Sequence, residues 1–168
     1  WQLASAACDN GDGSLTETID LTLVPGDDVT CTFTNTLNAS VTIVKDTLGG
    51  DGSFDFLTDA TAAVPSGQFN ITTNNNTGTA AFLGTLAAGT YTVSEIVPAG
   101  WDLTGLVCVE DGIQDSTVDL PNAEATLRLE DGESITCTFV NRERGTIEIE
   151  KVTNPAGSDV FGFTSTIP

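Results

Sequence analysis

The sequence contains no histidine and no methionine, and only five of its 168 residues are lysine or arginine. Without histidine, the chain lacks the side chain most often used for acid–base chemistry and metal binding near neutral pH. Against the five basic residues stand 24 aspartates and glutamates, which give a formal net charge of −19. Because such a surface repels phosphate backbones, we exclude nucleic acid as a partner. The charge is compatible with a simply soluble surface or with the attraction of cations such as Ca²⁺.

Long apolar runs are also missing. None approaches the roughly 20 residues of a membrane-spanning helix, so we expect no membrane insertion in this segment. The chain starts at Trp1 rather than at a methionine, and we expect it to be an interior stretch of a longer precursor. A missing signal peptide then says nothing about location.

An internal repeat organises what is present. Segment 30–35 matches segment 136–141, and the offset is 106 (136 − 30), against 100 (101 − 1) at the two tryptophans. The loop between the cysteines is therefore six residues longer in the later copy. The other matching anchors are Trp1 and Cys8 with Trp101 and Cys108, and Lys45, Phe54 and Phe56 with Lys151, Phe161 and Phe163.

Short segments with alternating apolar and polar residues predict β-strands. Residues 41–45, 91–95 and 135–139 follow this period of two, as half-buried strands do. Glycine-rich and proline-containing turn signals separate such segments at 25–26, 49–52, 98–100 and 130–132. No helical stripe of useful length is present. The pattern predicts an all-β fold, an Ig-like Greek-key β-sandwich in tandem repeats.

The repeat boundaries predict three units. Residues 39–141 form one complete repeat, with short linkers at 36–38 and 142–144. Residues 1–38 are expected to be the C-terminal part of a preceding repeat, and residues 145–168 the N-terminal strands of a following one. Such short linkers leave neighbours little freedom, which predicts a stiff array.

The four cysteines fall into two equivalent pairs. Three connectivities are open, and the repeat symmetry favours Cys8 with Cys31 and Cys108 with Cys137. Disulfides of this kind are typical of an oxidising, extracellular setting. Metal binding is the competing interpretation, but the chain has neither CxxC spacing nor histidine.

Strand alternation places three polar residues on apolar faces. Lys45 shares a face with Val41 and Ile43, Glu95 with Tyr91 and Val93, and Asn141 with Cys137 and Phe139. The chain has only two lysines, and they occupy matching positions of the repeat. A lone buried ammonium or carboxylate is costly, so the three groups are expected to meet. Two alternatives remain open: a buried ion pair with an amide, or a reaction among the three.

The reaction would join two side chains. Desolvation favours a neutral lysine amine and a protonated glutamic acid. Glu95 could then polarise the Asn141 carboxamide and pass a proton to departing ammonia. The product would be a Lys45–Asn141 isopeptide bond.

The segments that carry these residues resemble a known family. Residues 41–45 (VTIVK), 89–101 (GTYTVSEIVPAGW) and 138–141 (TFVN) are similar to Cna B-type domains, also called prealbumin-like or SpaA-like repeats, of bacterial surface proteins, pilins and adhesins. The resemblance implies a self-made isopeptide between the first-strand lysine and the last-strand asparagine, with the middle glutamate assisting. Those positions are Lys45, Asn141 and Glu95. Their counterparts in the partial neighbours are Asn35 and Lys151. The added cysteine pair departs from the best-known members and could make an isopeptide unnecessary.

Weaker signals concern ions and sugars. Segment 9–14 (DNGDGS) is similar to a calcium loop but lacks the glutamate at the twelfth EF-hand position, so Ca²⁺ is a minor alternative and no metal site or cofactor is assigned. Asn38, Asn70 and Asn75 open N-x-S/T sequences that could accept glycans.

Together these features predict a structural module of an extracellular, cell-surface stalk, fibre or filament. Its expected partners are neighbouring copies of the same protein or repeat, arranged head to tail. The alternative is an adhesin module that binds a host or matrix ligand or Ca²⁺. We expect no enzyme activity beyond the autocatalytic bond.

Overall fold

The structure is a computed structural model that describes residues 1–9, 15–16, 24–154, 157 and 159–166, and all statements below concern these residues. Their regular secondary structure consists of β-strands, and none of them forms a helix long and apolar enough to cross a membrane. The strands, in chain order, are β1 (Gln2–Asp9), β2 (Leu15–Thr16), β3 (Thr30–Thr36), β4 (Ala39–Leu48), β5 (Ser53–Thr58), β6 (Gln68–Thr72), β7 (Thr77–Leu86), β8 (Gly89–Ile96), β9 (Trp101–Glu110), β10 (Thr117–Asp119), β11 (Glu124–Leu129) and β12 (Ser134–Glu143).

Residues 39–143 form a β-sandwich. One sheet has the strand order β10-β11-β8-β5-β6 and the other β7-β4-β12-β9. The inward residues of both sheets make one core, which includes Ile43, Phe54, Phe56, Leu127 and Phe139. The all-β sandwich predicted from the alternation is thereby confirmed. A separate small sheet, β2-β1-β3, is built from the first part of the chain.

The first and last strands of the sandwich lie side by side. β4 and β12 pair in parallel, with Cys137 opposite Ile43 and Phe139 opposite Lys45. Antiparallel pairs to β7 and β9 flank them, so both strands are interior to their sheet. Two parallel strands cannot be joined by a short hairpin. Here the chain between β4 and β12 forms all the other strands of the sandwich before it returns to the side of β4.

A β-bulge interrupts the pairing of β9 with β12. Val140 lies opposite Gly105, whereas Asn141 lies opposite Leu103, so Thr104 is the extra residue. The Thr104 hydroxyl lies 3.2 Å from the Val140 carbonyl oxygen, to which it donates. A bulge of one residue exchanges the faces of all residues beyond it. As a result both halves of β9 turn apolar residues toward the core, namely Leu106 and Cys108 on one side of the bulge and Trp101 and Leu103 on the other.

Each predicted cysteine pair is a disulfide between directly opposed residues of neighbouring antiparallel strands. Cys8 of β1 is bonded to Cys31 of β3, and Cys108 of β9 to Cys137 of β12. No free cysteine occurs in the described part of the chain.

The predicted linker at 142–144 is wrong in its first two residues. β12 continues through Glu143, because Arg142 and Glu143 still pair with Asp102 and Trp101 of β9. Arg144 then donates its backbone N–H to Gly100 at 2.7 Å and its guanidinium to the Asp102 carboxylate. The chain is thus held to β9 as far as residue 144. The described residues after it form no strand, and the assignment of 145–168 to a following repeat stays a prediction.

Candidate functional site

Three polar side chains meet inside the sandwich. Lys45 and Asn141 are fully buried, on the adjacent strands β4 and β12, and Glu95 reaches them from β8 in the opposite sheet with 6% of its surface exposed. Each lies on the apolar face that strand alternation assigns to it. Neighbouring strands of one sheet therefore present the amine and the amide, and the carboxyl group closes the site from across the core.

The contacts within this trio are short. The Asn141 side-chain N–H donates to Glu95 Oε1, and Lys45 Nζ lies 3.8 Å from Glu95 Oε2. Lys45 Nζ also donates to the backbone carbonyls of Asp46 at 3.0 Å and Phe139 at 3.1 Å. Phe139 is the residue opposite Lys45, two positions before Asn141 on the same face of β12. The Lys45 amine is thereby held against β12, two positions before Asn141.

Burial shifts both ionisable groups toward their neutral forms. It lowers the pKa of the Lys45 amine from 10.5 to about 8, against the opposing effect of the Glu95 and Asp46 charges. It raises the pKa of the Glu95 carboxyl group, although Lys45 and the hydrogen bond from Asn141 act in the other direction. The site therefore favours an uncharged amine beside a protonated acid more than water does.

Two acceptor atoms in the site lack a donor among the described residues. They are Glu95 Oε2 and Asn141 Oδ1, both fully buried. A buried acceptor without a hydrogen bond costs about 1–3 kcal/mol. A proton on Glu95 would supply a donor, because a carboxylic O–H can donate to an amide oxygen while the amide N–H donates back to the acid.

Aromatic rings wall off the lysine. The Lys45 Nζ atom lies 4.4 Å from the centre of the Phe54 ring, and Trp101 packs edge-on against Phe54 with ring centres 5.2 Å apart. In the sequence, Phe54 and Trp101 are anchors of the repeat, and Trp101 also ends the family-like segment 89–101, but neither is predicted to take part in the site. The signal that could have found them is their recurrence together with the lysine.

The counterparts in the partial copies lie outside this buried trio. Asn35 is exposed on β3, although Asn141 at the matching position is fully buried. Lys151 is exposed in the segment after β12, where Nζ donates to the Val152 carbonyl at 3.0 Å and lies 4.3 Å from the centre of the Phe161 ring.

The weaker predictions concern other surfaces. Within the described ranges no three acidic or cysteine side chains are grouped as a metal site, and segment 10–14 of the calcium-like loop lies outside those ranges. Asn70 and Asn75 are exposed on the sandwich, and Asn38 is half-buried with its amide donating to the Gly84 carbonyl at 3.0 Å. Glycosylation at these three positions stays a prediction.

Solved structures that are similar to the chain include an adhesin and a pilin. One is a bacterial adhesin from Mobiluncus mulieris that contains intramolecular disulfide, isopeptide and ester cross-links, with 18% identity and a TM-score of 0.46; the match covers 80% of this chain and 53% of the adhesin. The other is the major pilin T-13 of Streptococcus pyogenes, with 15% identity and a TM-score of 0.40, covering 62% of this chain and 45% of the pilin. The chain thus spans about half the length of each.

No curated protein matches the sequence. Two models of the prealbumin-like fold domain do match it, one over residues 4–37 and the other over residues 41–143. The second match contains β4 to β12 almost entirely, with Lys45, Glu95, Asn141 and the Cys108–Cys137 disulfide. Because that match spans more than half of the 168 residues, the chain belongs to the family of prealbumin-like fold domains.

Proposed function

We propose that this protein is a structural module of a cell-surface fibre or stalk, and that residues 39–143 link themselves through a Lys45–Asn141 isopeptide bond. The observation that carries the proposal is the buried trio itself. An amine, a carboxamide and a carboxyl group meet in the core, away from water. Structural stability alone is a poor reason for such a cluster, since buried ion pairs are often no better than apolar packing.

The reaction needs only groups of this chain. The neutral Lys45 Nζ attacks Cγ of Asn141, while the protonated Glu95 donates a hydrogen bond to the amide oxygen and stabilises the charge that develops there. As the tetrahedral intermediate forms, the Glu95 proton moves to the amide oxygen and leaves a carboxylate. This carboxylate takes a proton from Nζ and delivers it to Nδ2, which leaves as ammonia, and the proton on the oxygen returns to Glu95 as the carbonyl re-forms. The Nζ–Cγ bond forms, the Cγ–Nδ2 bond breaks, and the carboxyl group of Glu95 is regenerated. Each molecule reacts once, so the chain is its own substrate and not an enzyme with turnover.

The position of the bond suits a load-bearing role. It would join the first strand of the sandwich to the last, three residues or fewer from the ends of β4 and β12. A pulling force applied at the two ends would then pass through the cross-link instead of through the sheets. The disulfides agree with an extracellular setting, in which we expect neighbouring copies or repeats to join head to tail.

The test is the intact mass of the purified chain after denaturation and reduction. We expect a mass lower than the sequence mass by one ammonia. Glu95→Gln keeps the size of the side chain but cannot shuttle the proton, and should restore the full mass. Asn35→Ala is the matched control, because that asparagine is exposed, and it should leave the loss of ammonia unchanged. Full mass in a folded protein with Glu95 intact would refute the bond.

A further inference from the structure

The aromatic wall beside Lys45 is held in place by its surroundings. Phe54 is fully buried, and Trp101 lies against its edge at an interplanar angle of 77°. Gly52 closes the same corner, because a Cβ there would lie 3.0 Å from the Phe54 ring and 3.1 Å from the Trp101 ring. A methyl group added at Gly52 would press on both rings. Phe54 therefore has little freedom to leave the lysine while Trp101 is in place.

The bulge at Thr104 is what turns Trp101 toward this wall. In a strand without the extra residue, Trp101 would lie on the outer face if Leu106 and Cys108 lay on the inner face. The first part of the chain contains the same irregularity, since β1 skips Ala4 between Leu3 opposite Asn35 and Ser5 opposite Thr34. In both copies the bulged residue comes three positions after a tryptophan. On the partner strand it lies opposite the bond between the asparagine and the residue before it.

The lysine side of the arrangement also recurs. Lys151 lies 4.3 Å from the centre of the Phe161 ring, as Lys45 lies 4.4 Å from that of Phe54. Each Nζ donates to the carbonyl of the next residue at 3.0 Å. The contact between lysine and phenylalanine thus occurs where the tryptophan, the glutamate and the asparagine are not assembled around it. The complete sandwich adds Trp101 as an outer cover to the pair, together with Glu95 and Asn141.

We propose that Trp101 is a positioning residue for the self-cross-linking site: turned inward by the bulge, it holds the Phe54 ring against the Lys45 amine and keeps water away from it. The inference rests on the proposed isopeptide reaction and adds a residue that acts on Lys45 through Phe54. The wall acts in two opposing ways. A ring face attracts an ammonium, which favours the charged form, whereas exclusion of water favours the neutral form. Burial is the largest influence on the Lys45 pKa and lowers it, which agrees in direction with the exclusion of water.

The test is the rate of ammonia loss as a function of pH. The 168-residue chain is recovered unfolded from inclusion bodies, diluted into refolding buffers between about pH 6 and 10, quenched in acid and measured by mass spectrometry. In Trp101→Ala we expect water to reach Lys45 and its pKa to rise toward the ordinary lysine value, which slows the reaction roughly tenfold near pH 7. Near pH 10 the difference from wild type should largely vanish. A variant that was only less well folded would be slowed by the same factor at every pH.

Two further variants sharpen the result. Trp101→Phe retains an aromatic cover and should recover most of the rate, and it replaces Trp101→Ala if circular dichroism finds the alanine variant unfolded. Trp1→Ala removes the tryptophan at the matching position, which is 81% exposed, and should react like wild type. Equal rates and equal pH profiles for wild type and both Trp101 variants would overturn the positioning role and leave the proposed function standing. Absence of ammonia loss in wild type itself would refute the proposed function and this inference with it.

Discussion

At the scale of single residues, the buried lysine dominates the energetics of the unreacted site. Its ammonium has two backbone carbonyls, a carboxyl group 3.8 Å away and one aromatic ring in place of water. These contacts do not balance the loss of hydration, because burial still lowers the Lys45 pKa. Forming the isopeptide would remove the ionisable amine from the core altogether, so the reaction would also relieve a cost of folding.

This cost predicts a pH dependence of stability when the bond cannot form. We consider Asn141→Ala, which lacks the reactive amide. The folded-state pKa of Lys45 is about 8 and the unfolded value 10.5, so between them the unfolded chain binds more protons. The free energy of unfolding should therefore rise with pH across this interval, by up to about 3 kcal/mol. Urea titrations at a series of pH values measure it.

The matched control is Lys45→Met in the same Asn141→Ala background. Methionine keeps an unbranched apolar chain without the amine, and the rise attributable to Lys45 should disappear. If both variants gain the same stability between those pH values, other groups cause the change and the lysine is not held in a costly state.

At the scale of elements, β12 carries two kinds of link to its neighbours. The Cys108–Cys137 disulfide ties it to β9 on one side, and the proposed isopeptide ties it to β4 on the other. Cys137 and Asn141 lie on the same face of β12, four residues apart. The disulfide closes a segment of 29 residues that contains β10 and β11, and leaves β4 to β8 outside it. The disulfide loop lies inside the longer loop, residues 46–140, that the proposed isopeptide would close.

Removing the disulfide should lower stability by about 3 kcal/mol, the chain-entropy estimate for a loop of this length. We expect this for Cys108→Ala/Cys137→Ala in a Glu95→Gln background, where no isopeptide competes. Unfolding is followed by Trp101 fluorescence after Trp1→Phe removes the second tryptophan. Cys8→Ala/Cys31→Ala should leave that transition in place, since the pair lies in the separate β2-β1-β3 sheet. A loss of equal size from either pair would mean that the two sheets unfold as one unit.

At the scale of the whole molecule, the path of a pulling force distinguishes the linked from the unlinked sandwich. With Lys45 joined to Asn141, residues 46–140 are bypassed and cannot extend. With only the disulfide present, the bypassed segment shrinks to the residues between Cys108 and Cys137. A fibre made of linked modules would therefore transmit force without lengthening, which is the mechanical property that a stalk needs.

Single-molecule stretching of the chain measures this difference. Wild type should release no length from residues 46–140 at forces that unfold ordinary β-sandwiches. Glu95→Gln should lengthen on unfolding by about 3.4 Å for each of residues 46–140 that lies outside the disulfide loop. Adding a reductant should lengthen the Glu95→Gln variant further and leave the sandwich of wild type unchanged. Lengthening of wild type to the same extent as Glu95→Gln would contradict a load-bearing cross-link.

The amino-acid sequence by itself determined the strands that alternate cleanly. In β4 and β12 every second residue is apolar, so burial of Val41, Ile43, Cys137 and Phe139 followed, and with it the inward direction of Lys45 and Asn141. The matched cysteines likewise predicted both disulfides. Period-two patterns suffice here because one face of each strand is buried and the other is in contact with water.

Tertiary structure decided what alternation leaves open. Beyond Gly105, β9 has apolar residues on both faces, Leu106 and Cys108 on one and Val107 and Val109 on the other. The sequence pattern therefore does not predict the bulge at Thr104. The bulge exists because Cys108 and Trp101, seven residues apart and thus on opposite faces of a regular strand, both have partners in the core. Those partners, Cys137 and Phe54, come from other strands. Contacts between residues distant in sequence set this geometry, and a local pattern carries no information about them.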